Sequence, residues 1–334
     1  MGYQMKAMIW TKYGAADVLQ LKMVDTPVPM DNEVLIKIFT TTVLIGDCEL
    51  RGLKFSPLIS IPLRIFLGFS KPKRVTILGQ ELSGKIEAVG SGVTKFTPGD
   101  QVIAATLLRL GAYAEYICLP ESYVAVKPDS ITYEEAATIP TGGVYGFHLV
   151  RKAVIHSGER LLINGAGGSI GTYAVQIAKL LGAEVTAIDS AGKLDMLRSI
   201  GADHVIDYMR EDFTRSAVTY DAIIDVIGKS SFSGSLRRLS KNGRFVLGNP
   251  NLYARLRGGW YSGATGKKVL LGEPENRTEI YLHLQRMIET GQIKPVIDRC
   301  YTLEQLVDAH RYVETGQKRG SVVITVGHPD QNYP

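Results

Sequence analysis

The run Ile163-Asn164-Gly165-Ala166-Gly167-Gly168-Ser169-Ile170-Gly171 closes an apolar stretch and opens a helical one. Glycines at such a junction let backbone approach a diphosphate, while the helix start offers unbonded N–H groups and a favourable dipole. The spacing is A-x-G-x-x-G through Ala166, Gly168 and Gly171, one glycine short of the standard dinucleotide fingerprint. Ala166, Gly167, Gly168, Ile170 and Gly171 are therefore the candidate cofactor contacts, with Gly171 leaving room for the helix to pack on its strand. A glycine-rich turn of purely structural use is the alternative. Roughly twenty residues on stands Asp189, where a carboxylate would bind a ribose 2′-hydroxyl and repel a 2′-phosphate. Ser190, Lys193 and Tyr208 lie close by, and a cation with two hydroxyls suits a phosphate. The two signals conflict, and Lys193 and Tyr208 also read as a solvated helix residue and a packing residue. NADP(H) is favoured over NAD(H), and the choice stays open.

These residues need strands and helices to hold them. From Met5 to about Lys127 the sequence reads as short strands broken by turns, such as 33–38, 84–90 and 101–105, with a tight turn at Thr97-Pro98-Gly99-Asp100. Antiparallel β structure is the economical reading. Near Asp129 the pattern changes. Thr132 to Glu135 resembles a capping box, and a helix runs to Ile139 before Pro140. Apolar strands at 160–163, 184–188, 205–208, 222–226 and 244–247 then alternate with helices at 171–181 and 193–200. Strands with little alternation, set between helices, imply a parallel sheet covered on both faces. Helices around 280–289 and 303–314 precede a last strand, 322–326.

The bulk numbers exclude several classes. A chain of 334 residues favours two domains. With 45% apolar and 21% charged residues it is an ordinary globular protein. A net charge of +5 without a clustered basic face argues against nucleic acid; Lys71-Pro72-Lys73-Arg74 reads as a solvated turn. Cys48, Cys118 and Cys300 are far apart and lack metal-site spacing, and the six histidines show none either, reading mostly as surface residues. No signal peptide or myristoylation pattern opens the sequence, so the cytoplasm is expected. The apolar stretch 58–67 is too short, and too interrupted by Pro62 and Arg64, to span a bilayer, so no membrane partner is expected. Phe55 to Phe69 reads either as a wall or lid over an apolar pocket or as a packing or dimer-contact loop.

Several motifs, in order, resemble medium-chain dehydrogenases: Asp17-Val18-Leu19-Gln20-Leu21, Pro98-Gly99-Asp100, Gly111 to Tyr116, the glycine-rich turn, Gly201 to Tyr208, and Arg319-Gly320-Ser321-Val322-Val323. The chain most resembles the quinone oxidoreductase and enoyl-reductase-like branch. That resemblance implies an α/β protein: a GroES-like β-rich catalytic domain from 1–128 and 273–334, and a Rossmann doubly wound parallel-sheet domain at 129–272, with the cofactor in the cleft. It implies a homodimer as well. The zinc-dependent branch places a catalytic Cys where this chain has Leu44 and a zinc-binding His where it has Gln80; a third Cys is absent around 139–143, as is the four-cysteine structural site. No metal is therefore expected. Asp47, Arg51 and Gly52 match the branch's D-x-x-x-R-x-G pattern, making Asp47 and Arg51 pocket candidates, or else a structural ion pair holding their loop. Tyr145, after Gly142-Gly143, is a third pocket candidate. Position 144, often Thr in the branch, is Val, and the Asn usual at position 44 is absent; Ser321 reads as a cofactor neighbour or a plain strand residue.

The chemistry this implies is hydride transfer from a nicotinamide, for which the protein supplies position and electrostatics. Without a metal to polarise a ketone, electrophilic substrates are expected: small hydrophobic quinones or α,β-unsaturated carbonyls. Two other readings stand beside it: a cofactor-binding protein with little turnover, serving as a sensor or structural component, and a zinc-type alcohol dehydrogenase.

Overall fold

Alternating apolar residues turn the N-terminal third into strands, as the computed structural model shows; it describes residues 3–249, 266–271, 274 and 277–328. Strands β1 (Gln4–Trp10) and β2 (Leu19–Asp25) form an antiparallel pair. The ten-residue β3 (Glu33–Thr42) leads through Val43 and Leu44 into helix α1 (Ile45–Gly52), followed by helix α2 (Pro57–Leu67). Neither helix follows from the strand reading of this region, because α1 is short and α2 is apolar almost throughout. Strands β4 (Glu81–Val89), β5 (Gln101–Ala105), β6 (Tyr116–Pro120) and β7 (Val124–Val126) pair antiparallel with β3 or with one another, as the alternation predicts. The expected capping box is present: Thr132 accepts from the Glu135 N–H and Glu135 from the Thr132 N–H, starting α3 (Tyr133–Ala136). The helix then loosens into a π-type turn at Ile139–Gly143, around Pro140.

Helix α4 (Val144–Ala153) opens the second unit. Strand β8 (Arg160–Asn164), helix α5 (Ser169–Leu180), strand β9 (Glu184–Asp189), helix α6 (Leu194–Ser199), strands β10 (His204–Asp207) and β11 (Tyr220–Asp225), helix α7 (Phe232–Arg237), and strands β12 (Leu239–Leu247) and β13 (Lys268–Leu270) follow. Among the described residues these six strands run parallel in the order β10-β9-β8-β11-β12-β13. The order reverses direction between β8 and β11, which in such sheets is where a crevice opens at the carboxyl ends. Strand β13 was not expected from the sequence; the rest of the parallel sheet was. Helix α8 (Arg277–Glu289) closes the unit, tied to α4 by the Arg151–Glu279 ion pair at 3.1 Å and by Phe147 stacked on His283.

The chain then returns to the first unit. Strand β14 (Ile297–Thr302), helix α9 (Leu306–Glu314) and strand β15 (Ser321–Thr325) extend its sheet, β15 pairing with Thr40–Thr42 of β3 while β6 pairs with Glu33–Lys37. Unit 1 is Met1–Thr141 with Ile297–Pro334, and unit 2 is Gly142–Val296. By contacts the chain divides at 141/142 and 296/297, where the sequence reading places the junctions at 128/129 and 272/273, the latter outside the described residues. Helix α8 belongs with unit 2 because its side chains are engaged by α4. Among the described residues no helix is long and apolar enough to cross a membrane.

Candidate functional site

The glycine-rich turn sits at the carboxyl end of β8, one edge of the crevice where the parallel sheet reverses. Gly165 takes φ +81°, a left-handed conformation that favours glycine. A Cβ on Gly171 would fall 2.4 Å from the Gly165 carbonyl oxygen, so only glycine lets α5 start this close to the turn. A Cβ on Gly168 would meet nothing nearer than that same oxygen at 3.8 Å, leaving the approach to the helix start open. Gly168 caps α5 without a side-chain hydrogen bond, and the first-turn N–H groups of a helix have no intrahelical partners. Ala166 and Gly167 are buried, while Gly168 and Ile170 are partly exposed beside that start. This is a cradle that fits a diphosphate. Across the crevice, Asn164 donates to Asp225 at 3.0 Å, and Asp225 also accepts from the backbone of Gly228 and Ser230. Asp225 was missed in the sequence, where it reads as the tail of an apolar strand.

Asp189 and Lys193 do not compete; they pair. Lys193 Nζ lies 2.8 Å from Asp189 Oδ1, both side chains under a tenth exposed. Asp189 Oδ1 also accepts from the Ser190 N–H, and Oδ2 accepts from the Gly167 N–H at 2.8 Å. Gly167 therefore gives its N–H to Asp189, and the carboxylate ties β9 to the glycine-rich turn. Lys193 is not the solvated helix residue that the bland reading made it, and Tyr208, 56% exposed just beyond β10, is not a packing residue. Tyr208 stays beside Asp189 through its N–H, which donates to the Asp189 carbonyl.

Helix α4 seats against α5 through glycines. A Cβ on Gly146 would come 2.8 Å from Tyr173 Cβ and 2.9 Å from the Ile170 carbonyl, and one on Gly142 3.0 Å from the Ser169 carbonyl. Tyr145, half-buried in the first turn of α4, is thereby held beside the helix that begins at the cradle. Position 144 is a buried valine, which carries no hydroxyl.

In unit 1, Asp47 and Arg51 are fully buried on α1, and they are not paired with each other as the structural alternative supposed. Asp47 accepts from the Leu44 N–H at 3.1 Å and from Gln80 Nε2 at 3.2 Å; burial pushes its carboxyl up to about 6. Arg51 donates to the Gly14 carbonyl and to His310 Nδ1 at 3.0 Å, and its other terminal nitrogen lies 2.8 Å from Glu314 of α9. His310 is thus buried, not a surface residue, and burial beside Arg51 drives it down to about 3. Its neighbour Cys48, 3.2 Å away, is pushed up to about 12 by the same burial, which makes the pair a neutral packing contact rather than a nucleophile and base. His328, also buried, bonds the Ile38 carbonyl at 2.7 Å.

Glu81 was also missed. It is fully buried at the head of β4, accepting from the Thr42 hydroxyl and from the Thr141 N–H at 2.7 Å. Burial pushes it up to about 7. Its backbone carbonyl takes the Thr41 hydroxyl at 2.6 Å. Gly79, at φ +98° and hemmed in by Tyr113 and Ala112, turns the chain so that Gln80 and Glu81 face inward. The sequence held no signal for Glu81, because the burial of the strand's first four residues is produced by the fold. At the zinc positions stand Leu44 and Gln80, the amide of which is engaged by Asp47. Among the described residues no three His, Cys, Asp or Glu side chains cluster to hold a metal ion.

Two family models match the chain. One, described as the alcohol dehydrogenase GroES-like domain, covers residues 30–129, and one described as zinc-binding dehydrogenase covers residues 200–324. The chain is 31% identical to the 2-methylene-furan-3-one reductase of Solanum lycopersicum, over 98% of this chain and 79% of that one. It is 28% identical to the chloroplastic NADPH-dependent alkenal/one oxidoreductase of Arabidopsis thaliana, over 96% and 79%. The solved quinone oxidoreductase from Coxiella burnetii superposes with a TM-score of 0.87 at 27% identity, covering 97% of this chain and 100% of that one. With its GroES-like and Rossmann-like folds and these relatives, the chain belongs to the quinone oxidoreductase-like branch of the medium-chain dehydrogenase/reductase family.

Proposed function

We infer that this protein is an NAD(P)H-dependent reductase that passes hydride to a quinone or an α,β-unsaturated carbonyl compound. The observation that carries the reading is the cradle at Gly165–Gly171, open at Gly168 and held to β9 by Asp189, in a chain whose relatives are named as reductases of enones, alkenals and quinones. The bound nicotinamide supplies the hydride. The α5 start and Gly168 would hold its diphosphate, and the Gly142 and Gly146 contacts seat the helix that carries Tyr145 against α5.

NADPH is the proposed cofactor. Asp189 would repel a 2′-phosphate if its charge stood alone, but Lys193 and two backbone N–H groups answer it. The exposed Tyr208 and partly exposed Ser190 then supply hydroxyls at the phosphate's edge. Catalysis is proposed to proceed without zinc, supported by Leu44 and Gln80 at two ligand positions and by Asp47 bonding Gln80 rather than a histidine. The test is oxidation of NADPH and of NADH with a quinone, an enal and a simple ketone, before and after treatment with a chelator. Turnover with the quinone or enal, indifferent to the chelator, is the expected result. Chelator-sensitive oxidation of simple alcohols would overturn the zinc-free reading.

A further inference from the structure

Helix α2 is apolar on both its sides. A helix on a protein surface normally turns its apolar stripe inward and its polar residues to water. Here Ser60, Leu63, Arg64 and Leu67 are the covered side, Leu63 and Leu67 packing with the core of unit 1. The outward side is Leu58, Ile59, Ile61, Pro62, Ile65 and Phe66, with Phe69 just beyond the helix; Leu58 and Phe69 are 75% exposed and Ile65 74%. Contiguous exposed apolar surface of this kind marks a contact with a partner or membrane.

Charge identifies the partner. Between Glu49 and Glu81 there is not one Asp or Glu, while Arg51, Lys54, Arg64, Lys71, Lys73 and Arg74 fall in the same stretch. Arg51 and Lys54 are engaged by Glu314, whereas Arg64, Lys71, Lys73 and Arg74 form no ion pair among the described residues. The turn after α2 folds back on the helix: the Lys73 and Arg74 N–H groups both donate to the Leu67 carbonyl, at 2.7 and 3.3 Å. That places the Arg74 guanidinium over the Phe66 ring, 5.2 Å from its centroid. Arg64 in turn lies over Tyr13 and donates to the Phe69 carbonyl. Lys71, Lys73 and Arg74 are all exposed, so cations rim the apolar face. A second copy of this face would meet it cation to cation in a two-fold contact, which disfavours self-pairing. A bilayer with anionic headgroups satisfies both features at once, apolar side chains entering the acyl boundary and cations meeting the headgroups.

Against the sequence expectation of no membrane partner, we propose that α2 and the Lys71–Arg74 turn form a peripheral docking surface for anionic lipid bilayers, lying on the membrane rather than crossing it. The full chain is sedimented with vesicles of phosphatidylcholine alone and of phosphatidylcholine mixed with phosphatidylglycerol, at low and high salt. Binding to the anionic vesicles, weakened at least about tenfold by high salt or by their replacement with phosphatidylcholine, is expected. The variant Lys71→Glu/Lys73→Glu/Arg74→Glu and, separately, Leu58→Ser/Ile65→Ser/Phe69→Ser each abolish it, with unchanged circular dichroism and NADPH binding showing that the fold is kept. The surface residues changed are exposed, so both variants are expected to fold. Absence of binding to either vesicle, or binding that both variants leave intact, would overturn the proposal. So would a native dimer that the serine variant splits while vesicle binding is nil, since the face would then be a subunit contact.

Discussion

Lys193 and Asp189 hold one another in a nearly closed setting, so removing either partner separates cofactor choice from turn structure. Lys193→Met leaves the Asp189 charge facing the place proposed for a 2′-phosphate, and NADPH affinity should fall at least about tenfold while NADH affinity changes little. Fluorescence titration of both cofactors measures this; an equal loss for both would mean the pair serves only the turn. The sequence displayed these two residues as rivals because spacing shows who is near whom, not who bonds whom. Glu81 was illegible for a related reason: a glutamate in a strand reads as solvent-facing until the tertiary fold closes over it. Its proton follows from that closure. A carboxyl raised from the usual 4.5 to about 7 binds its proton more tightly folded than unfolded, so its contribution to stability is present below about 4.5 and lost as pH rises through 7. Glu81→Gln keeps an acceptor for the Thr141 N–H and an amide for the Thr42 hydroxyl. The variant should gain on the wild type between pH 5 and 8, by on the order of 1–3 kcal/mol at the upper end, in denaturant titrations run across that range. A difference independent of pH would show that Glu81 does not titrate there.

At the scale of elements, periodicity made the parallel sheet readable: buried strands between helices leave runs such as Ala222 to Val226 with no polar alternation. Boundaries were less legible. The helix expected up to Ile139 stops at Ala136 and loosens into the π-type turn, and β13 is a three-residue strand too short to leave a pattern. Helix α2 escaped notice because it is apolar almost all round, so no polar face alternates with its apolar one. The α4–α5 contact was also invisible, since a glycine's role there depends on a neighbour some thirty residues away. It yields a sharp expectation. Gly146→Ala would put a methyl 2.8 Å from Tyr173 Cβ and 2.9 Å from the Ile170 carbonyl, backbone that cannot move without shifting the start of α5. We expect a loss of about 1–3 kcal/mol in stability and weaker NADPH binding together, whereas Gly192→Ala, with nothing within 4 Å, should leave binding unchanged. Equal behaviour of the two variants in thermal melts and cofactor titrations would contradict the packing role of Gly146.

The two units differ in how the chain builds them. Unit 1 needs distant segments, with β15 pairing on β3 and Arg51 reaching Glu314, whereas unit 2 is one uninterrupted stretch. That stretch, about 150 residues, is a typical size for an independent domain and has its own core around Leu162, Ile188, Ile223 and Phe245. It also contains the whole cradle: the glycine turn, the Asp189–Lys193 pair, the Asn164–Asp225 bond and the α4 glycines. The fragment Gly142–Val296 should therefore fold alone and bind NADPH. At a cofactor concentration a hundred times its dissociation constant, binding adds about 2.7 kcal/mol of stability, a rise of roughly 5–10 °C in melting temperature for a domain of this size. Turnover of a quinone or enal by the fragment should be absent, because Asp47, Gln80 and Glu81 all belong to unit 1. A folded fragment whose melting does not respond to NADPH would place essential cofactor contacts outside unit 2, and a fragment that reduces substrate unaided would remove unit 1 from the chemistry.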